Sequence, residues 1–71
     1  MNADKIRGKI AENGMNIGEF CVAAGFVRST FDRKMRGESE FDRAEIERII
    51  SILRLTDDET RAIFFEDAVA S

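Results

Sequence analysis

Histidine and proline are missing from this chain, and cysteine occurs once, as Cys21. With no histidine, one cysteine and no glycine-rich phosphate loop, the usual sets of nucleophile, general base and metal ligand are not available. Neither an enzyme nor a metal or cofactor site is therefore expected. A lone cysteine excludes an internal disulfide and fits a reducing cytoplasm, the expected location. No stretch approaches the roughly 20 apolar residues of a membrane span, and the amino-terminal MNADKIRGKI lacks the apolar core of a signal peptide. The absence of proline, joined to the absence of any alternating valine and isoleucine run, points to an all-α fold.

Seventy-one residues, 44% hydrophobic and 35% charged, make a single small globular domain spanning 1–71. A chain of this size buries only about 60% of its unfolded surface, so a second copy is a natural source of stability. The net charge of −3 argues on its face against nucleic acid. Its distribution argues the other way. Residues 1–27 balance Lys5, Arg7 and Lys9 against Asp4, Glu12 and Glu19, whereas residues 28–37 set Arg28, Arg33, Lys34 and Arg36 against Asp32 alone, for +3. The remainder is acidic. With screening over about 8 to 10 Å, the nearest charges dominate what a partner feels.

Five short helices follow from periodicity and caps. The first runs from about Ala3 to Asn13, with Ala3, Ile6, Ile10 and Asn13 on one face and Gly14 as its stop; Lys5, Lys9 and Glu12 form a solvated face. Asn16 and Glu19 have the spacing of a capping box for a helix over Ile17 to Ala24, whose Phe20, Cys21 and Ala24 turn inward. Gly25 suits a left-handed helix end, and after the Gly25-Phe26-Val27 turn a helix over Arg28 to Arg36 points Phe31 and Met35 inward, with Gly37 closing it. Phe41 precedes a second box, Asp42 with Glu45, and the helix from about Arg43 to Arg54 carries Ile46, Ile49, Ile50 and Leu53 at i, i+3, i+4 and i+7. Thr56 opens the last helix, about Asp57 to Glu66. Its three acids Asp57, Asp58 and Glu59 suit a helix amino terminus and, being consecutive, point in different directions.

The segment Met15 to Gly37 resembles the helix-turn-helix of the Cro and lambda-repressor-like (Xre-type) DNA-binding family, seen in small phage-type repressors. The resemblance rests on Asn16, Phe20, Cys21, Gly25, Phe26, Arg28 to Met35 and Gly37, in register over about twenty residues. Departures are Ile17, where the family often has glutamine, Gly18 beside it, and Val27, where the second helix usually has a serine or threonine cap.

The resemblance implies a transcriptional regulator, in first expectation a repressor, that lays the helix 28–36 in the major groove of double-stranded DNA. A helix so placed presents its first residues to base edges. Arg28, Ser29, Asp32 and Arg33 are the base-reading candidates; Asp32 either accepts from cytosine or, preferably, orients Arg28 or Arg33. Val27 and Thr30 suit a thymine methyl or a phosphate. Asn16, Lys34, Arg36 and Arg43 suit phosphates, which fix register without reading sequence. The family likeness leaves room for Lys5 or Lys9 near phosphate as well. No small-molecule ligand is expected.

Ile63-Phe64-Phe65, followed by Ala68-Val69-Ala70, exceeds what one helix face can bury. Either Phe65 folds back over the core with Val69, or Phe64, Phe65 and Val69 meet a symmetry mate. The second reading predicts a homodimer and a palindromic operator. The rival function is a protein-interaction module on the same fold, an antirepressor or accessory factor that uses the acidic face and the Phe64-Phe65 patch.

Overall fold

A computed structural model describes residues 1–65, and the expected role of Val69 lies outside them. Five helices follow in order: α1 (Ala3–Glu12), α2 (Ile17–Ala24), α3 (Arg28–Met35), α4 (Arg43–Leu53) and α5 (Asp57–Phe64). Among the described residues the fold is all-α. Each expected helix begins at the residue expected; α1, α3 and α4 end one residue early, with Asn13, Arg36 and Arg54 as the capping residues, and α5, expected to about Glu66, ends at Phe64 with Phe65 as its capping residue.

Local chemistry accounts for most of the boundaries. The Asn2 side chain accepts from the Lys5 amide at 3.2 Å and starts α1. Capping boxes open α2 (Asn16 and Glu19), α4 (Asp42 and Glu45) and α5 (Thr56 and Glu59), each pairing a side chain with the amide three residues away in both directions. Only α3 begins without a side-chain cap, because Val27 has no acceptor to offer. Gly25 closes α2 in the left-handed region, at φ 75°, and the Phe26 amide reaches back to the Cys21 carbonyl at 2.8 Å. Arg54 takes the same conformation at the end of α4, with φ 54°, where a side chain is strained.

The core draws on every helix: Ile6 and Ile10 from α1, Phe20, Cys21 and Ala24 from α2, Phe31 and Met35 from α3, Ile49 and Leu53 from α4, and Ile63 from α5, with Phe41 from the loop before α4. No polar or charged side chain is buried among the described residues. Helix α2 packs against α1, α3 and α4, and α1 packs against α5. The Asn2 amide donates to the Ile63 carbonyl at 2.7 Å, fastening the start of the chain to the end of α5. The radius of gyration of 11.5 Å is close to the roughly 11 Å of a compact chain of this length.

Two expectations about the core need correction. The α4 stripe is not uniformly buried: Ile49 and Leu53 are interior, whereas Ile46 and Ile50 are only half-buried, and Ile52 packs against the core in addition. At about 100° per residue, Ile50 and Ile52 lie on opposite flanks of the face centred on Ile49 and Leu53. The neighbouring helices cover the centre fully and the flanks in part. Asn13, expected on the inward face of α1, is exposed and donates from its amide to the Lys9 carbonyl at 2.8 Å.

All six phenylalanines of the sequence form one chain of ring contacts. Phe20, Phe26 and Phe31 join Phe41 at centroid distances of 5.3 to 6.3 Å, and Phe41 meets Phe64 edge-on at 6.4 Å. Phe31, with no exposure, is the α3 member of this cluster. Its replacement by alanine is expected to cost about 3–5 kcal/mol. The same ring that stabilises the core thus sets which side of α3 faces outward.

Candidate nucleic-acid interface

With Phe31 and Met35 turned into the core, the opposite side of α3 presents Arg28, Ser29 and Arg33 to solvent, and Arg36 follows at its end. Asp32 is half-buried between these positions. The Arg28 Nε–H donates to both Asp32 oxygens, at 3.1 and 3.3 Å. Of the two uses open to Asp32, this geometry provides the orienting one, and the partner is Arg28. The Arg33 guanidinium has no hydrogen-bonded or ion-paired partner among the described residues.

Space on α2 helps to place Arg28. A β-carbon on Gly18 would lie 3.8 Å from Arg28 Nη1 and 3.4 Å from Asn16 Oδ1, so the guanidinium rests beside a residue with no side chain. The Asn16 side chain is engaged with its own helix: its oxygen accepts from the Glu19 amide at 2.7 Å. Val27, at 67% exposure, stands free beside the start of α3. Thr30 is half-buried.

Lys34 has a different setting from the one expected of a phosphate contact. Its ammonium donates to Glu45 Oε1 at 2.5 Å, with only 13% of either side chain exposed, and lies 5.7 Å from the Phe41 ring centre. Glu45 is also the return partner of the α4 capping box, so this pair ties the end of α3 to the start of α4. Sequence reading missed it because the two residues belong to different helices. Arg36 is paired with Glu38 at 2.7 Å, which raises the guanidinium pKa and holds the Glu38 carboxyl below its ordinary value. Arg43 is exposed and reaches Glu47 at 3.4 Å.

Lys9, considered near phosphate, is drawn to the other side of the molecule. Its ammonium bridges Glu59 at 2.7 Å and Glu12 at 3.4 Å, joining α1 to α5. Among the acids at the start of α5, Glu59 serves this bridge and the Thr56 cap, and Asp58 accepts from Arg61 at 3.0 Å. Cys21 is buried, and burial pushes its thiol pKa up, away from the reactive thiolate. Arg48, not singled out in the sequence, stacks over Phe26 at 5.2 Å and shields the turn between α2 and α3.

At the end of α5, Ile63 is interior, Phe64 packs against the core and Phe65 stays 48% exposed, its ring 6.5 Å from that of Phe64. Both rings line a groove of about 540 Å³ that also includes Met1, Met35, Phe41 and Ile46. Among the described residues, no helix is long and apolar enough to cross a membrane. Comparison with protein-family models, with characterised proteins and with solved structures gives no match to this chain.

Proposed function

We propose that this chain is a sequence-specific DNA-binding regulator, in the first instance a repressor, working as the resemblance to the Cro and lambda-repressor-like helix-turn-helix family implies. The observation that carries the reading is α3: a helix held at its back by Phe31 and Met35, turned from α2 through the left-handed Gly25, and offering Arg28, Ser29 and Arg33 outward. Arginine can give guanine two hydrogen bonds in the major groove, worth about 1–3 kcal/mol of discrimination. Arg28 is held by Asp32 in an exposed pair that it would give up for a base edge at little loss. The dimer expected of such a regulator would use Phe65 and the groove beside it, setting two copies of α3 roughly 34 Å apart over a palindromic site.

Selection from random duplexes, followed by fluorescence-anisotropy titration with an Arg28→Ala/Arg33→Ala variant alongside, tests this. A palindromic site bound by the wild type and lost in the variant is expected. No enrichment at low salt overturns the reading. A second reading, a protein-interaction module, draws on the exposed Phe65 and on the acids that already occupy Arg28, Lys34 and Arg36. Salt separates the two, since binding through several phosphates weakens steeply as salt rises.

A further inference from the structure

A cleft of about 280 Å³ is lined by residues of α1, α2 and α3: Arg7, Ile17, Arg28, Phe31, Asp32, Met35 and, just past α3, Arg36. Apolar groups line part of it, since Phe31 and Met35 are buried and Ile17 packs against the core. Three guanidiniums, one from α1 and two from the α3 segment, share it with a single carboxylate. Each has one N–H bonded to an acid: Arg7 Nη1 donates to Asp4 at 3.0 Å, Arg28 Nε to Asp32 at 3.1 Å and Arg36 Nε to Glu38 at 2.7 Å. Arginine carries five N–H donors, so each retains others for a further acceptor. The three pairs are exposed, and exposed pairs exchange partners at little loss.

Three guanidiniums opening on one cleft, each with N–H donors left over, offer an entering anion several charge-assisted hydrogen bonds at once. The planar guanidinium matches the oxygens of a phosphate two at a time. We propose that this cleft holds one phosphate group of a nucleic-acid backbone, and that Arg7 of α1 is a contact residue outside the α2–α3 pair. The inference rests on the DNA-binding reading and extends it to a second segment of the chain. Arg28 then has two neighbours to serve, a base edge ahead of it and the phosphate beside it. Asp32, inside the cleft, is the group a phosphate must displace or share.

The test compares Arg7→Gln with Arg61→Gln, an equal change in net charge on α5, where Arg61 pairs with Asp58. Anisotropy titrations use the selected duplex and a random duplex across a range of salt. Loss of one phosphate contact lowers the slope of log affinity against log salt by about 0.9, and weakens binding roughly eightfold at 0.1 M salt relative to a 1 M reference. Arg7→Gln is expected to show both, equally on the two duplexes, with Arg61→Gln unchanged. If the wild type binds and Arg7→Gln keeps its slope, the cleft is overturned while the DNA-binding reading stands; if the wild type binds neither duplex at low salt, both fall. A second arm follows the arginine Nε–Hε resonances of the wild type. Shifts at Arg7, Arg28 and Arg36 with duplex and not with inorganic phosphate support the backbone assignment. Equal shifts with inorganic phosphate make the cleft a free-anion site and overturn it.

Discussion

Substituting Val27 by threonine should stabilise the protein, because α3 lacks the cap that the other four helices have. At φ −75° and ψ 130° Val27 already holds the extended conformation of a capping residue. In the four capped helices the acceptor takes the amide three residues on, and the equivalent amide here is that of Thr30. Threonine keeps the branched shape and adds the missing oxygen. A cap of this kind contributes about 0.5–2 kcal/mol. Against it stands one methyl of a side chain that is 67% exposed; with about 0.8 kcal/mol for a fully buried group, the loss is roughly 0.3 kcal/mol. The net gain is about 0.2–1.7 kcal/mol, and a gain of about 1 kcal/mol raises Tm by some 4 to 8 °C for a domain of this size. Val22→Thr is the control. Val22 lies inside α2 at 84% exposure, and valine and threonine differ little in helix propensity. Thermal melts by circular dichroism decide the matter: a Val27→Thr midpoint no higher than that of Val22→Thr refutes the capping argument.

Lys34→Ala is expected to destabilise by about 1–3 kcal/mol, since it leaves a poorly exposed Glu45 without its cation, holding only the Asp42 amide, and removes the cation over Phe41. Denaturant melts should register that loss; on the DNA-binding reading the salt dependence of binding would stay as in the wild type, and a changed salt slope in a stable variant would return Lys34 to the phosphate role. Arg54→Gly removes the left-handed strain at the end of α4, and a gain of about 0.5–1 kcal/mol in urea unfolding is expected after the added freedom of the unfolded chain is counted. Glu59 governs an acid dependence. Its carboxyl is held below the ordinary value of 4.5, first by the Lys9 hydrogen bond and then by the Thr56 amide, so the stability it contributes is whole above that value and lost as pH falls through the lower folded one. Melting midpoints measured from pH 6 downward should therefore fall less steeply in Glu59→Gln than in the wild type. Lys9, raised mainly by Glu59, gives the mirror case: its share is present below the ordinary lysine value and lost only in strong alkali.

What was legible in the sequence was local. Asn16 with Glu19, Asp42 with Glu45 and Thr56 with Glu59 could be read as helix starts because a cap and its return partner lie three residues apart, within one turn. Gly25 was equally readable, since a left-handed helix end favours glycine on local steric grounds. The inward faces of α2 and α3, and the Ile6 and Ile10 positions of α1, followed from spacing, whereas Asn13 of α1 did not. What was not legible depends on which helices meet. The Lys34–Glu45 pair spans two helices and the Lys9–Glu59 pair spans almost the whole chain. Arg48 covers Phe26 only because α4 passes the turn between α2 and α3. The unequal fate of Ile50 and Ile52 has the same origin: periodicity gives the centre of an apolar face, and its neighbours decide which flank they cover.

The acids around α3 bear directly on how an acidic protein could bind DNA. Of the four cations between residues 28 and 37, Arg28, Lys34 and Arg36 each have a carboxylate at hydrogen-bond distance, and only Arg33 is without one among the described residues. Lys34 is too enclosed to change partner easily. Arg28 and Arg36, in exposed pairs, can trade an acid for a phosphate or a base edge at little loss. If the proposed DNA binding holds, an incorrect sequence would meet a face whose positive charge is largely matched from within, and non-specific attraction would be weak. A correct sequence would offer Arg28 a bidentate acceptor in place of the Asp32 edge it already holds. On the DNA-binding reading proposed above, the internal pairing would lower affinity for all DNA while lowering it least for the right site, and its removal in Asp32→Asn would trade discrimination for tighter non-specific binding.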